Sequence, residues 1–192
     1  MSAESPVPEE LPVGFISVDL VNAALTLHGK VKDSAKWSIG GDTADAMRGA
    51  KVEPDHLEII TDSDGANKIY EAMKEYGPVP VGVREQKLSR EAVIADKGYP
   101  VQIRSNYTEF QIGNVVVKVH GDLQYKVGEW RWGDALEFWP EPLSLVGTMV
   151  SLVPLTLRLQ IYSSLGWVDK VDAINAAIEK TRGHHEFAGE LG

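Results

Sequence analysis

The residues best placed for chemistry begin at a pair of glycines. Gly40-Gly41-Asp42 lies where a short predicted strand passes into a predicted helix. Glycine lets backbone N–H groups approach a phosphate closely, and the N-terminus of a helix favours negative charge. This junction therefore predicts an anion-binding turn. A plain strand-to-helix turn, with Asp42 as the helix N-cap, is the alternative interpretation of the same residues.

A second candidate segment, Asp55-His56-Leu57-Glu58, opens the next predicted strand. Side chains two apart on a strand project from the same face, so acids at alternate positions share one surface. Strand parity puts His56 and Glu58 on one face and turns Asp55 to the other, unless a small register slip or bulge restores it. Two carboxylates on one face can hold Mg²⁺ against the phosphates of a nucleotide. An acid beside them can take the proton of an acceptor hydroxyl. This pattern is typical of metal-assisted phosphate chemistry.

Residues 40–49 and 54–60 together resemble the nucleotidyltransferase superfamily, and within it the small antibiotic-modifying members of the lincosamide type. The resemblance implies an α/β fold in which a mixed, twisted β-sheet is flanked by helices, with further helices at the C-terminus. It also implies transfer of a nucleotidyl group from an NTP, the substrate, to a small hydroxylated acceptor. The site residues that it implies are Gly40, Gly41 and Asp42 for the nucleotide, Glu58, Asp55 and His56 for catalysis, and Glu58 and Asp55 for Mg²⁺.

The sequence departs from the pattern of that family at two of its three acids. His56 stands in place of the first acid, Glu58 keeps the second, and Lys118 aligns with the third. Three carboxylates attract a dication, whereas Glu58 and Lys118 sum to zero charge and His56 is mostly neutral near pH 7. The departures predict an ion pair between Lys118 and Glu58 where a metal would lie. They favour a second hypothesis, a catalytically inactive family member that binds a nucleotide or a protein.

Other residues allow more than one interpretation. His56, Glu58 and His120 share strand parity and could ligate zinc, but histidines that hydrogen-bond near the surface are the favoured interpretation. Asp42 and Asp45 could contact a substrate, and Arg48 could reach a phosphate, although a solvated helix face is the default for Arg48.

An aromatic-rich segment lies at 130–139. It could stack a base, or it could cover the edge of the core or form a homodimer contact, and the second interpretation is favoured. Its aromatic residues are Trp130, Trp132, Phe138 and Trp139.

The elements that must position these residues follow from hydrophobic periodicity and turn residues. Helices are predicted from a Ser17 cap to Gly29, at 42–48, from 61–63 to Gly77, at 152–162 and from 168 onward. Strands are predicted at 36–39, 57–60, 79–83, 107–112, 115–120 and 123–127, with a hairpin turn at Gly113-Asn114. Residues 152–162 also alternate like a strand, and the family resemblance decides for a helix.

Composition sets the outer limits. The chain has 192 residues, 43% apolar and 24% charged, which predicts one domain at 13–182 between flexible tails at 1–12 and 183–192. A net charge of −9 disfavours nucleic acid and favours a small molecule, a cationic substrate or another protein as partner. The nucleotide ligand is what the family resemblance implies. The absence of cysteine excludes disulfides and thiolate catalysis and fits a cytoplasmic protein. No signal peptide is apparent, and the uncharged run at 143–157 is too short to span a membrane.

Overall fold

A seven-stranded mixed sheet forms the centre of the structure, with helices on both faces. The computed structural model describes residues 16–137 and 139–189, with side chains as far as residue 179. The helices in these ranges are α1 (Val18–Val31), α2 (Gly41–Met47), α3 (Ser63–Ala72), α4 (Leu155–Ser164) and α5 (Val168–Gly189), with a 3₁₀ turn at Lys74–Tyr76. The strands are β1 (Trp37–Ile39), β2 (His56–Thr61), β3 (Gly82–Lys87), β4 (Ala92–Ile94), β5 (Lys97–Tyr99), β6 (Val101–Ile112), β7 (Val115–Val127), β8 (Glu141–Leu145) and β9 (Thr148–Leu152).

The strand order in the sheet is β3-β6-β7-β2-β1-β9-β8, and β4 and β5 form a separate two-stranded ribbon. Strand β2 pairs with β1 in antiparallel and with β7 in parallel orientation, and β1 pairs with β9 in parallel orientation. This arrangement confirms the predicted mixed sheet flanked by helices. None of the described helices is both long and apolar enough to cross a membrane.

The two faces of β2 pack against different helices. Leu57 and Ile59 are fully buried in the cluster that contains the apolar residues of α1 and α3. Ile60 belongs to a second cluster, where it is packed with Val153 and with Leu157 of α4. Because side chains alternate along a strand, Glu58 shares the α4 side of the sheet with Ile60. The candidate acid therefore lies on the face that α2 and α4 cover.

Capping and turn residues correctly predicted where several helices and strands begin or end. Ser17 accepts a hydrogen bond from Leu20 N and caps α1, as predicted. Asp62, one of the residues proposed as a cap, accepts a hydrogen bond from Gly65 N at the start of α3. The hairpin at Gly113-Asn114 joins β6 and β7, which are both longer than predicted.

Two predicted boundaries in the first half of the chain were wrong. Helix α1 does not stop at Gly29 but continues to Val31, which is fully buried and holds the last turn on the core. The strand predicted at 79–83 begins only at Gly82, and it is an exposed edge strand. Pro78 and Pro80 lack the N–H groups that a sheet ladder requires, which explains the late start.

The second half of the chain contains three further corrections. The strand predicted at 123–127 is the end of a continuous β7, interrupted only by a bulge at Asp122, whose φ is +51°. The helix predicted at 152–162 begins at Leu155, because residue 152 ends β9 and Pro154 is the N-cap of α4. The hairpin of β8 and β9 was not predicted as strands. Of the uncharged run at 143–157, only residues 152–157 were predicted to belong to an element, the helix at 152–162.

The predicted tails can be compared with the structure only in part. Residues 183–189 continue the backbone of α5. The rest of the C-terminal tail and the whole N-terminal tail at 1–12 lie outside the described residues.

Candidate functional site

The glycine pair and Glu58 are in direct contact. Gly40 N donates a hydrogen bond to Glu58 O at 2.8 Å, at the end of β1. Gly41 has φ +58°, and a Cβ built on it would lie 2.7 Å from Glu58 Oε2. Glycine is therefore required at position 41 both for its backbone conformation and for the close approach of the carboxylate. Because the glycines have no side chains, the carboxylate of Glu58 can pack directly against the first turn of α2.

A second contact fixes α2 on β2. Thr43 Oγ1 donates a hydrogen bond to His56 O at 2.6 Å, and Thr43 is almost fully buried. The beginning of α2 is thus held against β2 at both His56 and Glu58. These contacts all lie within residues 40–58, and the sequence correctly predicted both the glycine turn and the strand that form them.

His56 lies between two carboxylates. Its Nδ1 donates to Asp55 Oδ1 at 2.5 Å, and its Nε2 lies 3.9 Å from Glu58 Oε2. The carboxylate of Glu58 raises the pKa of His56, burial opposes the rise, and Asp55 adds to it. The Asp55 side chain is 92% exposed, so Asp55 does not turn into the cleft beside Glu58. Its role in the structure is to pair with His56.

Glu58 is ionised in spite of its surroundings. Its side chain is 23% exposed, and burial works against the charged form. The neighbouring ring of His56 and the electrostatic influence of His120 and Arg158 outweigh burial and lower the pKa of Glu58 to about 2. The protein itself therefore supplies the charge that stabilises this carboxylate.

Lys118 is in register with Glu58 on the neighbouring strand β7, as the alignment of the sequence had placed it. However, Lys118 forms no ion pair with any residue in the part of the chain that the structure describes. The predicted Lys118–Glu58 ion pair was therefore wrong, and His56 is the side chain within ion-pairing distance of Glu58. Lys118 remains a half-buried ammonium on the floor of the site.

His120 is buried rather than poised for metal binding. Its Nδ1 is hydrogen-bonded to Ser105 Oγ at 2.9 Å, and its ring packs on Tyr107 at 5.1 Å between centroids. Burial lowers the pKa of His120. Within 16–137 and 139–179, no group of three or more His, Asp and Glu side chains is arranged to hold a metal ion. The zinc set of His56, Glu58 and His120 is therefore not assembled.

Sequence reasoning missed a buried charge network on the same face of the sheet. Arg158 of α4 donates from Nε to Asp45 Oδ1 at 3.2 Å and from Nη2 to Asp45 Oδ2 at 2.8 Å. Tyr162 OH donates to Asp45 Oδ2 at 2.7 Å. The side chains of Arg158 and Asp45 are only 6% and 1% exposed. An arginine in an apolar stretch, Leu157-Arg158-Leu159, was the available signal, because buried charges need partners.

The remaining polar residues of α2 have structural partners. Asp42 is not the N-cap, which is Gly40, and Asp42 Oδ1 accepts a hydrogen bond from Lys170 Nζ at 2.5 Å. Arg48 does not lie on a solvated face, because its side chain is 13% exposed and Nη2 donates to Glu141 Oε2 at 2.7 Å. These contacts join α2 to α5 and to β8, so both predictions are corrected.

The aromatic segment at 130–139 is largely exposed. Trp139 is 84% exposed and Trp130 is 57% exposed, so neither covers the edge of the core as favoured. Trp132 lies under Arg104, whose guanidinium carbon is 4.6 Å from the ring centroid. Phe138 lies outside the described residues.

The residues present do not fit Mg²⁺. Mg²⁺ binds carboxylate oxygens in near-octahedral geometry, and sites for it combine carboxylates that lack other counter-ions. Here Glu58 is the one acid of the three aligned positions; His56 lies 3.9 Å from it, Lys118 is in register with it on β7, and Arg158 lowers its pKa. The negative charge of Glu58 is thus offset by positively charged side chains of the protein itself.

Comparison with known proteins places this geometry in a fold. No family model and no curated protein sequence matches the chain. The crystal structure of a candidate nucleotidyltransferase from Thermotoga maritima superposes with a TM-score of 0.61 at 21% identity, over 86% of this chain and 96% of that one. This chain has the nucleotidyltransferase fold. A lincomycin-bound lincosamide antibiotic adenylyltransferase also matches, with a TM-score of 0.48 at 9% identity, over 85% of this chain and 99% of that one.

The nucleotidyltransferase fold accounts for the position of the candidate site. Gly41 and Glu58 lie where the end of β1, the N-terminus of α2 and one face of β2 come together. The resemblance of residues 40–49 and 54–60 is confirmed at the level of fold. This structural likeness concerns the fold and not the roles of individual side chains.

Proposed function

We propose that this chain is a catalytically inactive protein of the nucleotidyltransferase fold that binds a nucleotide without a divalent metal. The observation that carries the proposal is the neutralised carboxylate. Glu58 has His56 at 3.9 Å and a lysine in register on the next strand, and no second acid of the aligned set faces it. A dication would gain little charge interaction at such a site.

Binding of an anion without metal is supported by the cations of the cleft floor. Lys118 has no ion-pair partner within 4 Å among the described residues, so its charge is available to a ligand. The raised pKa of His56 favours a second positive charge on β2, two residues before Glu58, the residue that pairs with Lys118. A phosphate of the ligand would take the place beside Lys118, as a point-charge partner.

The alternative function is nucleotidyl transfer from an NTP to a small hydroxylated acceptor. The specific observation in its favour is that Glu58 is retained and fully ionised beside the glycine pair. In that case Glu58 and Asp55 would hold the metal, which requires Asp55 to leave His56 and turn into the cleft.

Thermal unfolding with each of ATP, GTP, CTP and UTP tests the proposal, with EDTA in one series and Mg²⁺ or Mn²⁺ in the other. A ligand that binds only the folded state stabilises it by about 2.7 kcal/mol at a hundredfold excess over Kd. For a chain of this size that corresponds to a rise in Tm of about 5–11 °C. We expect one or more nucleotides to give the same rise with EDTA as with metal.

Two variants sharpen the result. Lys118→Gln should remove the rise, whereas Lys68→Gln, on the exposed face of α3 in an ion pair with Asp64, should leave it unchanged. A rise that requires metal, or incorporation of label from an NTP into an acceptor, would overturn the proposal in favour of transfer. If no nucleotide raises Tm, nucleotide binding is excluded and a protein partner becomes the function to test.

A further inference from the structure

We propose that the chain forms a two-fold symmetric homodimer in which the edge strand β3 of one copy pairs in antiparallel orientation with β3 of a second copy. This inference goes beyond the proposed function and does not depend on it. It places the contact between copies on β3 and not on the aromatic segment at 130–139.

Strand β3 is an open edge of the sheet. It stands at the end of the strand order and pairs with β6 on one side, and no residue of the described ranges hydrogen-bonds to its outer side. Its residues are exposed except for Gln86, which is half-buried. The opposite edge strand, β8, contains Pro142, which has no N–H group to offer to another strand. Of the two edges, β3 is therefore the one suited to accept a further strand.

The direction of the backbone groups of β3 follows from its pairing with β6. Leu88 N donates to Val101 O at 2.8 Å and continues the β3–β6 ladder without a shift of register. Because backbone groups alternate in direction along an antiparallel strand, every second residue before Leu88 also points to β6. The N–H and C=O groups of Val83, Glu85 and Lys87 therefore point away from the sheet, where a second strand could receive them.

Symmetry and charge select the register of such a pairing. Around a two-fold axis along the sheet normal, outward-pointing residues must lie opposite one another, and registers that overlap five or more of residues 82–88 are centred on Arg84, Glu85 or Gln86. A centre at Arg84 puts the two guanidinium groups opposite each other, and a centre at Glu85 does the same with the two carboxylates. Like charges directly opposite are destabilising, so both registers are disfavoured. The centre at Gln86 puts two uncharged amides on the axis.

The register centred on Gln86 also pairs opposite charges. Glu85 of each copy lies opposite Lys87 of the other, and both residues have their backbone groups in the new ladder. Arg104 lies 3.8 Å from Glu85 on the neighbouring strand, so the carboxylate would be held between two cations. Charged side chains usually protect an edge strand from pairing. Here the acid and the base alternate, so that the edge repels other registers and accepts this one.

Sedimentation velocity of the full chain tests the proposal, from low micromolar to the highest soluble concentration. We expect a reversible and weak dimer, because a pair of edge strands buries less surface than a standard interface. Glu85→Lys puts like charges opposite at both pairs and should raise the Kd of the dimer at least about tenfold. Glu71→Lys, at an exposed position on α3, changes the net charge equally and should leave the Kd unchanged. A monomer at every concentration, or equal Kd values for Glu85→Lys and the wild type, would overturn the proposal.

Charge exchange tests the register itself. Glu85→Lys and Lys87→Glu should each weaken self-association, whereas an equal mixture of the two variants should form a heterodimer. The chain that carries both substitutions should dimerise like the wild type. In amide hydrogen exchange, the N–H groups of Glu85 and Lys87 should exchange more slowly as protein concentration rises, and that of Val83 should not. Failure of the two variants to associate, or protection of Val83, would contradict the pairing centred on Gln86.

Discussion

The buried pair of Asp45 and Arg158 allows a sharp prediction for Asp45→Asn. Asparagine keeps the size of the side chain, but it removes the negative charge that faces Arg158. With the amide nitrogen in place of Oδ2, the contacts of Arg158 Nη2 and Tyr162 OH, at 2.8 and 2.7 Å, are lost, whereas the remaining oxygen still accepts from Arg158 Nε. Because the Arg158 side chain is 6% exposed, water cannot replace the carboxylate.

The magnitude follows from the burial of both partners. Removal of one member of a buried ion pair typically costs about 3–5 kcal/mol, because the other charge is left without compensation. Burial raises the pKa of Asp45, and Arg158 opposes the rise. For a chain of this size the expected fall in Tm is about 6–20 °C.

The structure offers a matched control at the surface. Arg90 and Asp169 also form a two-pronged arginine–aspartate pair, but their side chains are 38% and 66% exposed. Exposed pairs contribute about 0–1 kcal/mol, so Asp169→Asn should lower Tm by less than about 4 °C. Differential scanning calorimetry and urea unfolding of both variants measure the contrast. A loss in Asp45→Asn no larger than in Asp169→Asn would refute the reasoning from burial.

Two further predictions concern the cleft itself. The raised pKa of His56 means that its ion pairs stabilise the fold below the unfolded pKa of about 6.5 and cease to do so as pH rises through the folded pKa. His56→Gln should therefore lower Tm by about 1–4 °C at pH 6 and by less at pH 9, and a difference that grows with pH would contradict this. Gly41→Ala puts a side chain on a left-handed backbone and brings the new Cβ into collision with Glu58. Gly49→Ala also puts a side chain on a left-handed backbone, with φ +87°, but no atom lies within 4 Å of the new Cβ. Both should lose about 1–2 kcal/mol from the backbone, and Gly41→Ala about 1–3 kcal/mol more, by urea unfolding. Equal losses would show that the carboxylate does not rest on Gly41.

Local sequence determined the part of the site that lies within a short stretch of chain. Gly40 and Glu58 are 18 residues apart, and the glycine pair and the strand that carries Glu58 were each located from turn residues, periodicity and family resemblance. Strand parity correctly put His56 and Glu58 on one face and kept Asp55 apart. Caps and turns such as Ser17 and Gly113-Asn114 were predictable for the same reason, since a cap or a hairpin is closed by neighbours in sequence.

Partners distant in sequence were decided only by the tertiary structure. Asp45 and Arg158 are separated by 113 residues, and their pairing depends on how α4 docks on the sheet. Parity placed Lys118 next to Glu58 correctly, but it could not show that His56 lies closer or that Arg158 interacts from another layer. Hydrophobic periodicity indicates which face of a helix or strand is buried, but it does not identify the residues that pack against that face. The sequence alone therefore determined the fold class and the position of Glu58, and helix packing determined which cations surround it.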